Sequence, residues 1–79
     1  MRLSGGCQCG AVRYAVSGEP AHAALCHCKD CRRSAGAPVV AWAALPEAAF
    51  TLLQGKVTTY NSSGASMRNV CPTCGTGVF

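Results

Sequence analysis

Seven cysteines stand in a chain of 79 residues, and their spacing is where this sequence can do chemistry. They fall into three groups: Cys7-x-Cys9, Cys26-His27-Cys28-x-x-Cys31 and Cys71-Pro72-Thr73-Cys74. Disulfides consume thiols in pairs, so an odd count argues against a fully bridged framework. Zinc closes a structural site with four ligands, whereas a reactive zinc keeps three and leaves one position open. The seven sulfurs divide naturally into one closed set of four and one open set of three.

The Cys71-x-x-Cys74 pair, with Pro72 inside it and Gly75 after it, has the composition of a zinc knuckle. Glycine lets the backbone reverse so that amide N–H groups can approach the thiolates. A knuckle supplies two sulfurs, and the glycine-rich Gly5-Gly6-Cys7-Gln8-Cys9-Gly10 is its natural partner. Joining them closes a loop of sixty-two positions between Cys9 and Cys71. The entropic cost of loop closure grows only logarithmically with length, so metal bonds can offset it.

Cys26, Cys28 and Cys31 are the remaining trio, carried on a strand end and the turn after it. Three thiolates leave a zinc ion with net negative charge. Such a centre favours binding or exchanging a fourth ligand, notably an incoming thiol whose pKa the metal lowers. Lys29, Arg32 and Arg33 lie beside these ligands and would offset that charge and attract an anionic thiol compound. Two other readings stay open: a purely structural zinc completed by His22 or His27, and a metal-free Cys28–Cys31 redox pair. His27, set between two ligands, is expected to point away from their metal. Trp42 is expected in the core.

The elements that must position these sulfurs are short. Ala11–Val16 alternates as a strand, Ala21–Leu25 reads as a second, and Cys28 to Ala35 as one or two helical turns stopped by Gly36 and Pro38. Val39–Ala44, Phe50–Leu53, Val57–Tyr60 and Met67–Val70 read as further strands, with turns at Leu45-Pro46-Glu47, Gln54-Gly55 and Asn61-Ser62-Ser63-Gly64. The result is one small, mainly β domain with at most one short helix. Hydrophobic residues make up 49% of the chain, but many are alanine or cysteine, so the apolar core is thin. Structural zinc can add on the order of 10 kcal/mol to folding in such modules. Metal, more than core, is expected to hold the domain together.

The formal charge of +4 assumes neutral thiols. Seven thiolates and two Zn²⁺ would bring the loaded chain to about +1, because zinc ligands bind deprotonated. Basic residues such as Arg13, Lys29, Arg32, Arg33 and Arg68 thus read as local compensation, and no basic run interleaved with aromatics suggests nucleic-acid binding. No signal-peptide-length apolar stretch opens the sequence, and Ala35 to Phe50 is broken by Pro38, Pro46 and Glu47, too short to span a bilayer. A cytoplasmic setting without membrane contact is expected, where thiols stay reduced.

Gly5-Gly6-Cys7-Gln8-Cys9-Gly10-Ala11-Val12-Arg13-Tyr14, Cys26-His27-Cys28-Lys29-Asp30-Cys31-Arg32-Arg33 and Arg68-Asn69-Val70-Cys71-Pro72-Thr73-Cys74-Gly75 together resemble the glutathione-dependent formaldehyde-activating enzymes. That family includes centromere protein V-like proteins and has the Mss-four-like fold. Gly36-Ala37-Pro38, Trp42 and Gly55-Lys56 extend the likeness along the chain. The resemblance implies a zinc-stapled, β-sandwich-type fold. It implies a structural zinc on Cys7, Cys9, Cys71 and Cys74, and a second, more labile zinc on Cys26, Cys28 and Cys31, where glutathione is used. The implied reaction joins glutathione to formaldehyde as S-hydroxymethylglutathione, a carbon–sulfur lyase reaction in reverse. Asp30 and His27 are candidate general acids by proximity. The alternative function is a non-catalytic zinc module that binds glutathione or serves as a scaffold. Relatives usually continue past the knuckle, so the domain is expected to be incomplete at its C-terminal end. Gly77-Val78-Phe79 reads as the start of a strand, and an unfinished sheet edge invites pairing with a second copy.

Overall fold

The structure is a computed structural model that describes residues 2–64 and 66–79. Among the described residues, seven strands and one α-helix follow one another as β1 (Arg2–Gly6), β2 (Arg13–Ser17), β3 (His22–Cys26), α1 (Lys29–Ala35), β4 (Val40–Ala44), β5 (Phe50–Gln54), β6 (Thr58–Asn61) and β7 (Met67–Val70). A single 3-10 turn at Glu47–Ala49 precedes β5. The mainly β expectation with one short helix holds among the described residues.

The strands form three antiparallel units: a sheet ordered β1-β2-β5, the pair β3-β4 and the pair β6-β7. β1 is a strand that the sequence reading did not expect. Its residues, Arg-Leu-Ser-Gly-Gly, are poor strand formers, and pairing along all of β2, from Arg2 opposite Ser17 to Gly6 opposite Arg13, makes the strand. Its last residue hands the chain directly to Cys7.

Simple alternation expects Val12, Tyr14 and Val16 to share one face. Instead Val12 and Ala15 are the buried positions, while Tyr14 and Val16 are half-buried and line a cleft. The pairing of β2 with β5 shifts register between Arg13 and Tyr14, and such an irregularity exchanges the faces of the residues beyond it.

α1 is bounded by local chemistry. Cys28 is its N-cap, with extended backbone and a sulfur that accepts the Cys31 amide N–H at 3.3 Å. Gly36, at φ 65°, ends it, and the amides of Gly36 and Ala37 both return to the Arg32 carbonyl. None of its residues is buried, so hydrophobic packing does little to hold it.

The apolar core is small and lies on sulfur. Cys7, Val12 and Cys71 form the buried cluster, at 7%, 1% and 1% exposure, with Val57 and Val78 packed against it. Trp42 corrects the sequence reading. It is 42% exposed on β4, lines the cleft and meets His22 edge-on, with ring centroids 5.5 Å apart. The residue opposite Trp42 on β3 is Ala24, which provides too little volume to cover an indole. Gly77–Phe79 lies along β7 through an isolated bridge: Gly77 bridges Val70, the Val78 amide donates to the Asn69 carbonyl and the Asn69 amide to that of Phe79.

Candidate metal centres

All seven cysteines are free thiols, and they gather into two groups. Cys7, Cys9, Cys71 and Cys74 form one; Cys26, Cys28 and Cys31 form the other. Within each group every sulfur lies within 4.8 Å of every other. A tetrahedral zinc with Zn–S bonds of about 2.3 Å sets its sulfurs about 3.8 Å apart. The observed Sγ–Sγ spacings fit that figure: 3.5 Å for Cys7–Cys9, 3.8 Å for Cys9–Cys71 and 3.4 Å for Cys26–Cys28. Neither His22 nor His27 joins the three-sulfur group.

The four-sulfur group is assembled by two tight loops. After β1 the chain turns so that the Cys7 amide donates to the Val12 carbonyl and the Val12 amide donates to Cys7 Sγ at 3.3 Å. After β7 the Gly75 amide closes on the Cys71 carbonyl at 2.8 Å, with Gly75 at φ 79°, a conformation that a side chain would strain. The Thr76 hydroxyl joins the loops, accepting the Gln8 amide N–H at 3.2 Å and lying 3.2 Å from Cys74 Sγ. The sequence reading missed Thr76; threonine after a knuckle carries no signal until the fold brings residue 8 to it.

These contacts set the charge of each sulfur. The Thr76 hydroxyl, helped by the Thr76 amide, draws Cys74 down to about 5. The Val12 amide lowers Cys7. Cys9 accepts a hydrogen bond from the Ala11 amide, but the crowding sulfurs, Cys7 foremost, outweigh it and push the thiol up to about 11. Without a cation, four clustered sulfurs cannot all be thiolates. A bound cation would relieve that repulsion, so the donor set suits one.

The three-sulfur group is held differently. Cys26 ends β3, Cys28 caps α1 and Cys31 sits in the helix's first turn. The Cys28 amide, then the Cys31 side chain, draws Cys26 down to about 7. Cys31 accepts an N–H from Arg68 Nη2 at 3.5 Å, yet the neighbouring sulfurs leave its thiol raised. Arg68, on β7, also pairs with Asp30 at 2.6 Å, and the Ser62 hydroxyl donates to the same carboxylate oxygen at 2.9 Å. Together these hold Asp30 below the usual carboxylate range, so it is an ionised anchor and a poor proton donor. His27 is exposed.

Two hollows flank α1. Cys31 and Arg68 line a cleft of about 920 Å³ whose walls include Tyr14, Trp42, Phe50 and Phe79. Phe50 stands between the other two phenyl-type rings, 5.3 Å from Tyr14 and 4.5 Å from Phe79 by centroid. Lys29, Arg32 and Arg33 line a separate hollow of about 390 Å³ with Gly36 and Ala37. The basic trio and the sulfurs thus share a helix but not a cavity.

A small, mainly β module with two cysteine groups able to hold metal ions is the class of protein that this fold and these sites define. The chain belongs to the glutathione-dependent formaldehyde-activating enzyme family, whose model matches residues 2–79.

Proposed function

We propose that this protein joins glutathione, or a similar small thiol, to formaldehyde as the S-hydroxymethyl adduct, the reverse of a carbon–sulfur lyase reaction. The observation that carries this reading is the three-sulfur group, whose Cys31 lines an apolar cleft and stands on the helix that also bears Lys29, Arg32 and Arg33. Family membership supports the substrate pair.

On this reading Cys7, Cys9, Cys71 and Cys74 hold a structural zinc, and Cys26, Cys28 and Cys31 hold a second, more labile one. The chemistry such an ion supplies at a three-thiolate site is a lowered pKa for a fourth, exogenous thiol. Lys29, Arg32 and Arg33 attract the carboxylates of the thiol compound across the first turns of α1. The aromatic walls of the cleft limit water around the sulfur end, where the aldehyde approaches. In the addition a sulfur–carbon bond forms, the C=O π bond breaks, and the thiol proton ends on the former carbonyl oxygen. No electrons leave or enter. Thiols add to formaldehyde readily, so the protein's contribution is to bring the two partners together rather than to lower a high barrier.

Cys28→Ser tests this reading cleanly, because serine is itself a good N-cap and preserves α1. The expected result is loss of glutathione-dependent formaldehyde consumption, with native circular dichroism and one zinc retained. Undiminished consumption in that variant would remove the assignment, and a native chain that holds one zinc with or without glutathione would favour a non-catalytic module.

A further inference from the structure

α1 presents a mechanical problem. It carries Cys31 and is capped by Cys28, yet it buries none of its residues. The one ion pair among the described residues, Arg68–Asp30, fastens it to the β6–β7 hairpin. The geometry around that pair is closed. Arg68 Nε–H donates to Ser62 Oγ at 3.2 Å, Ser62 O–H donates to Asp30 Oδ2 at 2.9 Å, and Arg68 Nη2–H donates to the same oxygen at 2.6 Å. A second N–H of the same nitrogen reaches Cys31 Sγ at 3.5 Å. Only a guanidinium can make all three contacts from one planar group.

The geometry points to Arg68 as the positioning residue of the Cys26/Cys28/Cys31 group: one fork fixes the Cys31 sulfur and, through Asp30 and Ser62, the helix that carries it. Arg68 is three residues before Cys71, on the strand whose end enters the four-sulfur group, so the clamp ties the three-sulfur group to the segment that leads into the other one. The inference builds on the reading that the three sulfurs hold a metal. Outer contacts of this kind commonly change metal affinity by roughly 10- to 100-fold.

Cobalt(II) titration of the metal-free full chain tests the clamp, with sulfur-to-cobalt charge-transfer absorption as the readout. The native chain is expected to take two equivalents. In Arg68→Gln the first equivalent should bind with native affinity and the second roughly 10- to 100-fold more weakly, with its charge-transfer band moved to longer wavelength by loss of the N–H···S bond. Asp30→Asn, which keeps Arg68 but breaks the anchor, should weaken the second equivalent in the same direction. Arg68→Lys keeps the charge without the fork and should remain weakened. Full recovery in the lysine variant would reduce Arg68 to charge compensation and overturn the positioning role. Native affinities for both equivalents in Arg68→Gln would overturn it too, while leaving the metal reading intact. A native chain that takes only one equivalent defeats the metal reading instead. The clamp is then decided by amide hydrogen exchange over residues 30–35, expected to be faster in Arg68→Gln and fatal to the proposal if unchanged.

Discussion

The two cysteine groups use the same ligand and nearly the same sulfur spacing, yet they are built on opposite plans. The four-sulfur group draws its members from loops sixty-two positions apart, buries Cys7 and Cys71 beneath the exposed Cys9 and Cys74, and holds its sulfurs with backbone amides and the Thr76 hydroxyl. The three-sulfur group lies within six consecutive residues, is half-buried or exposed throughout, and leans on one arginine from another strand. Long-range ligands make the first group part of the fold itself. Local ligands make the second a fitting attached to the fold, and its surroundings can be specialised without unfolding the protein.

The largest effect should come from exchanging the two roles experimentally. Cys71→Ser removes a fully buried ligand that joins the chain ends, and it should abolish cooperative thermal unfolding, followed by circular dichroism. Cys31→Ser should leave the transition in place and weaken metal uptake at the three-sulfur group alone. A cooperative transition in Cys71→Ser would erase the distinction between the groups.

A smaller effect is expected at the knuckle turn. Gly75 sits at φ 79° with open space where a side chain would go, so Gly75→Ala should cost about 1–2 kcal/mol through backbone strain alone, measured by denaturant unfolding. Smaller again, Thr76→Val removes the hydroxyl shared by Gln8 and Cys74 and should cost about 1 kcal/mol. It should also speed metal loss from the four-sulfur group to a chelator, with release from the three-sulfur group unchanged. Equal acceleration at both groups would mean that they are not mechanically separate.

Much of this was legible in the residues. The odd thiol count, the paired spacings and Gly75 separate the two cysteine groups before any fold is known, because metal geometry restricts which spacings work. The helix from Cys28 and its stop at Gly36 follow from local capping. β1 was not legible, since Arg2–Gly6 has no strand preference of its own and becomes a strand only against β2. Trp42 was misread for a related reason. Its burial depends on what faces it, and the facing strand, β3, brings the Ala24 position opposite it.

By itself, the amino-acid sequence determined which sulfurs belong together and which family the chain resembles, because cysteine spacing and glycine placement are local constraints of coordination chemistry. Only the tertiary structure decided that Arg68 reaches Cys31, that Asp30 is tied up as its counter-ion, and that the basic trio opens onto a different hollow from the sulfurs. The Arg68 contacts depend on how β7 lies against α1, a relation between segments more than thirty positions apart that no local pattern encodes.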